Sequence, residues 1–237
     1  MSPTMISTGL RHATTRLLLP LLVLYGVMVG LGLLVTKVLY DTWPLTVEDT
    51  VNRELESERS GTLNAISLVF STIASTPAII AVTVIAATIL ALTTRRWREP
   101  AFLIAAVSAQ ALIFLFTTMV IDRERPAVEH MDTSPPTSSF PSGHTSAAIA
   151  LYGGLAVLLA LHARRTATKV AWWSLLVVVP VGVALTRMYR GMHHPSDVIG
   201  SLVNSASCLL IMARGLLDRI LRRDATAPAH QPTTARV

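Results

Sequence analysis

The chain has 237 residues, of which 51% are hydrophobic and only 14% charged. A soluble domain carries about 25% charged residues, so the composition excludes one; the apolar residues also gather in long blocks, the pattern of a polytopic helical membrane protein. The net charge of +6 sits on basic residues flanking those blocks and reads as a topology signal, not as a nucleic-acid footprint, while the lone Cys208 can form no intrachain disulfide.

Residues 1–16 form a basic N-terminal segment with Arg11 and Arg16. The apolar block 17–39 follows. It exceeds the roughly 7–15 residues of a signal-peptide core and lacks a small-x-small cleavage site, so it reads as a retained span. Gly26 and Gly30 give it a small-xxx-small face that predicts helix packing. Segment 41–62 is acidic and predicts a short amphipathic helix lying on the membrane. Block 63–92 reads as the second span, with Pro77 tolerated inside it. Blocks 101–121, 143–161, 170–185 and 198–212 complete a set of six. The last two fall short of the about 20 residues a span needs and must borrow flanking residues. The Ala-, Pro- and Thr-rich tail 224–237 predicts disorder. The fold class is therefore all-α, with a six-span domain over 17–223 and no internal repeat.

Basic residues set the expected orientation. Thirteen of the 20 lie in the N-terminal segment, around 95–98, around 164–169 and after 213. The other seven, Lys37, Arg53, Arg59, Arg123, Arg125, Arg187 and Arg190, lie in the alternate segments, the first of which is also rich in acids. The positive-inside rule then puts both termini in the cytoplasm.

Polar residues out of keeping with a simple membrane protein all fall on the opposite, outer side. Asp122-Arg123-Glu124-Arg125-Pro126 closes the third span, and Phe140-Pro141-Ser142-Gly143-His144 opens the fourth. Thr186-Arg187 and His193-His194-Pro195-Ser196-Asp197 join the fifth to the sixth. Ser142 suits an N-cap, Gly143 permits close approach to the backbone, and a helix N-terminus offers amide donors to an anion. His144 is then beside that anion, able to protonate a leaving oxygen. His193 and Asp197 are four apart; a carboxylate there can fix the ring tautomer and leave the other nitrogen to attack. Arg187, six before His193, is a fork-shaped phosphate donor, and Arg125 is a second. A plain capped helix and a surface His-Asp pair remain the bland readings of the same residues. His194, three before Asp197, is a weaker alternative nucleophile. The acids Asp122 and Glu124 read as surface partners of Arg123.

Together these groups resemble the type 2 phosphatidic acid phosphatase superfamily, which includes membrane lipid phosphate phosphatases and soluble vanadium haloperoxidases. The family pattern is Lys-x6-Arg-Pro, then Pro-Ser-Gly-His, then Ser-Arg-x5-His-x3-Asp. Arg125-Pro126 matches the end of the first motif, residues 141–144 the second in full, and Arg187, His193 and Asp197 the third, with Thr186 in the serine position. The resemblance implies a phosphohistidine on His193, oriented by Asp197, with His144 as general acid. It implies a phosphate cradle of Arg125, Ser142, Gly143 and Arg187. It also implies no metal and no cofactor. Where the family has its lysine this chain has Thr118. Arg190, or Arg123 if the third helix ends early, is the expected substitute cation.

The implied function is hydrolysis of a lipid phosphate such as undecaprenyl diphosphate, phosphatidylglycerol phosphate or phosphatidic acid. The substrate would come from the outer leaflet of a plasma (inner) membrane to a site on its non-cytoplasmic face. The implied partners are that substrate and the bilayer, with no nucleic acid. Two rivals use the same residues: a phosphotransferase passing the phosphohistidine to an alcohol, and a lipid-binding or transport relative without turnover.

Overall fold

The computed structural model describes residues 14–133 and 136–217. The expected disordered tail at 224–237 and most of the N-terminal segment lie outside them. Six of the described helices are long and apolar enough to cross a membrane. They are α1 (Thr15–Val38), α4 (Thr76–Thr94), α5 (Arg98–Val120), α6 (Gly143–His162), α7 (Thr166–Tyr189) and α8 (Pro195–Leu217). Two shorter helices, α2 (Glu48–Ser57) and α3 (Gly61–Ile73), lie between α1 and α4. The short fifth and sixth blocks do borrow flanking residues, and reach 24 and 23 residues.

The second block is not one helix. α3 stops at Ile73, Ser75 is extended (φ −67°, ψ 152°), and α4 restarts with Pro77 in its first turn. Proline has no N–H to continue the preceding ladder and its ring obstructs the turn before it, whereas in a first turn neither matters. The expectation that Pro77 would sit inside a span is therefore corrected: only the second half of the block is long enough to span. Pro180, by contrast, does lie within a continuous helix. The glycine pair of α1 is also corrected. A Cβ built on Gly26 or Gly30 meets nothing within 4 Å among the described residues, so that face packs against none of the described helices.

α6 is the centre of the bundle, packed against α5, α7 and α8. Its membrane window is 61% buried against 11% for α7. Small residues make this possible: Ala148, Ala150, Ala156, Gly153 and Gly154 let neighbouring helices close in. Hydrogen bonds then lock α6 to α8. The Ser205 hydroxyl donates to the Ser146 carbonyl at 2.7 Å, and the Ser201 hydroxyl reaches the Ser142 carbonyl at 2.8 Å. Apolar residues such as Phe102, Leu103, Leu151, Leu158 and Met212 fill the remaining core. The result is a rigid axis whose Gly143 end carries the polar motifs.

Candidate active site

Three chain segments meet at that end. The first leaves α5 at Ile121, where the backbone turns extended (φ −94°, ψ 125°). It brings Arg123 and Arg125 inward and is fastened by Ser139 N–H donating to the Arg123 carbonyl at 2.8 Å. The second is the start of α6, with Ser142 as N-cap. Its hydroxyl lies 3.0 Å from that of Thr145, and its N–H donates to the Asp197 carbonyl at 3.2 Å. Gly143 is required by packing, since a Cβ there would lie 2.9 Å from the Phe114 ring. The third segment runs from the end of α7 through Gly191, whose φ of +72° lets the chain reverse, to the start of α8.

His193 is 5% exposed. Its Nδ1 lies 2.8 Å from the Ser139 carbonyl, which can only accept, so Nδ1 carries the proton and Nε2 the lone pair. Asp197 does not bond the ring directly: its Oδ2 is 3.6 Å from Nδ1, beyond hydrogen-bond distance. It acts one step removed. Oδ2 accepts from the Ser139 hydroxyl at 2.5 Å and from the His194 N–H at 2.8 Å, and Oδ1 accepts from Arg123. Asp197 thus holds the residue that holds His193. Burial pushes the His193 ring below its ordinary pKa; Asp197 opposes this, and the Arg187 and Arg125 charges add to it. The ring is held neutral, the state an attacking imidazole needs.

His144 is half-buried in the first turn of α6, within electrostatic reach of Arg187, His193, Asp132 and Arg125. Arg187 is 3% exposed; one terminal nitrogen donates to Ser71 at 2.8 Å and to Asp132 at 2.6 Å. Its Nε is buried with no hydrogen-bond partner, an unsatisfied donor of the kind an anion would satisfy. Arg125 donates to the Met192 carbonyl at 2.8 Å.

The two expected substitute cations are engaged elsewhere. Arg190 gives Nε and one terminal nitrogen to Asp132, at 3.0 and 2.5 Å, and its other terminal nitrogen to Ser67 at 3.0 Å. Arg123 does follow an early end of α5 and turns inward, but it pairs with Glu48 at 2.7 Å and with Asp197, not with Asp122 or Glu124. The Thr118 hydroxyl turns back onto the Leu115 carbonyl at 2.8 Å. Beside it is a groove of about 810 Å³ whose lining includes Leu115, Thr118, Met119, Arg123, Arg125 and Thr137.

Sequence reasoning missed Glu48, Asn52, Ser67, Ser71, Asp132 and Ser139. Burial holds Asp132 against Arg187 and Arg190: burial alone would raise its carboxyl, but the hydrogen bond from Arg190 and the charge of Arg187 outweigh it and bring it down to about 2. The one available signal was at Glu48 and Asn52, which sit four apart, on one helix face, in an otherwise solvent-patterned segment.

The sequence profile of the PAP2 superfamily matches residues 80–220. The chain belongs to the PAP2 superfamily. Its six candidate spans make it an integral membrane protein. Its structure is similar to that of a transmembrane PAP2 type phosphatidylglycerolphosphate phosphatase from Bacillus subtilis. The TM-score is 0.73 at 18% identity, over 84% of this chain and 96% of that one. It is also similar to Aquifex aeolicus LpxE, with a TM-score of 0.53 at 21% identity, over 71% of this chain and 95% of that one. At these identities the likeness is one of fold. No curated protein matches the chain in sequence.

Proposed function

We propose that this PAP2 protein is a phosphatase of a membrane lipid phosphate that works through a phosphohistidine on His193. The observation that carries the reading is the 2.8 Å contact of His193 Nδ1 with the Ser139 carbonyl, which leaves Nε2 as a free lone pair in a site lined by arginines. Nε2 attacks phosphorus as the bond to the lipid oxygen breaks, and His144 gives that oxygen its proton. Water then attacks the phosphohistidine, His144 takes the water's proton, and Nε2 leaves with inorganic phosphate as product. Arg125, Arg187 and the α6 amide end, with Ser142 and Gly143, stabilise the charge that develops on the equatorial oxygens. Phosphatidylglycerol phosphate, undecaprenyl diphosphate and phosphatidic acid are the substrates to try. The groove beside Thr118, lined by apolar residues as well as by Arg123 and Arg125, suits a lipid arriving sideways. The site faces the non-cytoplasmic side in this reading, which the distribution of basic residues supports.

The test is phosphate release from those lipids by purified protein, and by intact cells given a short-chain lipid phosphate from outside. His193→Ala should lose activity by about 10³-fold or more, and vanadate should inhibit. Normal release by His193→Ala would sink the mechanism, and release only after cell disruption would sink the orientation.

A further inference from the structure

A helix that merely lies on a membrane surface needs one apolar face and keeps its charges in water. α2 does not do this. Glu48 is 6% exposed and Asn52 is 1% exposed, and burying such groups is costly unless each is paired. Their partners all belong to the candidate active site. Glu48 accepts from the Ser196 N–H at 2.7 Å, from the Ser196 hydroxyl at 3.0 Å and from Arg123 at 2.7 Å. Arg123 in turn donates to Ser196 at 2.7 Å and to Asp197. Asp197 takes the Ser139 hydroxyl, and the Ser139 carbonyl takes His193 Nδ1. Every link from Glu48 to the histidine is thus a hydrogen bond. Asn52 reaches the same residue by a second route. Its side-chain amide donates to the main-chain carbonyls of His193, at 3.1 Å, and of Met188, at 3.2 Å, tying the end of α7 to the histidine.

We propose that Glu48 and Asn52 are positioning residues for His193: α2 is a brace, Glu48 holding Arg123 on Asp197 and Asn52 holding the backbone that carries the ring. The inference rests on the phosphohistidine reading above. Neither residue touches the phosphate cradle, so their loss acts on the nucleophile and not on anion binding.

The brace can be loosened without undocking the helix, because the segment is anchored independently. Arg59 donates to the carbonyls of Tyr189 and Glu129, at 3.1 and 2.8 Å. The Tyr189 hydroxyl bonds Asn64 at 2.7 Å and accepts from the Ser60 N–H at 3.2 Å. Glu48→Gln keeps the shape and removes the charge; Asn52→Leu keeps the volume and removes both donors.

The experiment measures kcat and the inhibition constant of inorganic phosphate for wild type, Glu48→Gln, Asn52→Leu, Arg123→Gln and the Glu48→Gln/Arg123→Gln double variant, with thermal midpoints in detergent. Each single brace variant should lose about tenfold or more in kcat while phosphate inhibition stays within about threefold. Once Arg123 is gone, Glu48→Gln should cost less than about threefold more, because its route to Asp197 is already cut. An unchanged kcat in both variants overturns the proposal. So does a loss shared equally between kcat and phosphate binding with a fallen thermal midpoint, which is the mark of simple undocking. Additive losses in the double variant overturn the Glu48 route. Wild-type protein that releases no phosphate overturns the phosphatase reading itself, and the brace with it.

Discussion

Among the described residues, two histidine–carboxylate pairs lie at opposite ends of the central helix with nearly equal separations. His193 Nδ1 lies 3.6 Å from Asp197, and His162 Nε2 lies 3.5 Å from Glu99. Both carboxylates are buried, with side chains 0% and 2% exposed. The difference is in what surrounds them. Asp197 accepts from Ser139, the His194 N–H and Arg123, and His193 is sealed in behind it. One oxygen of Glu99 has no hydrogen-bond partner, its ion pair with Arg96 is 3.8 Å long, and the His162 side chain is 47% exposed. His162 also gives Nδ1–H to the Leu158 carbonyl of its own helix at 2.8 Å, so Nε2 attracts Glu99 only when it too carries a proton. A histidine near a carboxylate is therefore not enough. What distinguishes the His193–Asp197 pair is a set of fixed donors around the carboxylate and a free nitrogen on the ring.

The largest way to break that contrast is Asp197→Asn. The substituted amide must turn its NH2 either toward Arg123 or toward Ser139 and the His194 N–H, so the charge and at least one of the three fixed donors are lost. Activity should fall by about 10³-fold, in the range seen when an orienting carboxylate becomes an amide, with phosphate inhibition changed far less. Phosphate release within tenfold of wild type would mean that Ser139 holds His193 unaided.

Much of this was legible in the sequence. Six spans follow from apolar blocks that have few alternatives in a chain with so little charge, and the motif residues are brought to one end because each lies at a helix end on the same side. The break at Pro77 was less legible, because hydropathy continues across it and only the backbone N–H count marks it. The fates of Arg123 and Arg190 were not legible at all. Guanidinium groups choose among carboxylates that are distant in sequence, and Glu48 and Asp132 lie 75 and 58 residues from their arginines. The indirect link from Asp197 to His193 through Ser139 was hidden for the same reason, since a spacing of four fixes a helix face and not a bond length.

A middle-sized effect should come from Asp132, the acid that fastens Arg187 and Arg190. Asp132→Asn removes charge-assisted hydrogen bonds from two buried guanidinium groups and should destabilise the protein by about 2 kcal/mol, read as a lower thermal midpoint. The pH dependence has a definite sign. The carboxyl is held at about 2 in the folded protein against an ordinary 3.8, so its contribution is complete above about pH 4 and is lost as pH falls toward 2. The gap between wild type and Asp132→Asn should be full at pH 6 and close near pH 2–3. A gap that stayed constant down to pH 2 would show that the loop, and not the charge of Asp132, is what the arginines stabilise.

The smallest effect should come from the His162–Glu99 pair. Glu99→Gln removes a buried charge whose partners are a half-exposed histidine and a distant arginine. The carboxylate is buried with one oxygen unpartnered and only long ion pairs, so a neutral amide in its place gives up little compensation. The separation from the site is also large. α6 carries His144 in its first turn and His162 at its last residue, and 18 residues of helix rise about 27 Å. Over that length the Coulomb effect of a charge change on His193 is small. Kcat and phosphate inhibition should therefore stay within about twofold of wild type, and so should those of His162→Gln. If Glu99→Gln cost as much activity as Asp197→Asn, the two ends would have to be coupled through α6 itself. The packing of Ala148, Ala150 and Ala156 against its neighbours could carry such a coupling, and a bulkier residue at Ala156 would then have to reproduce the loss.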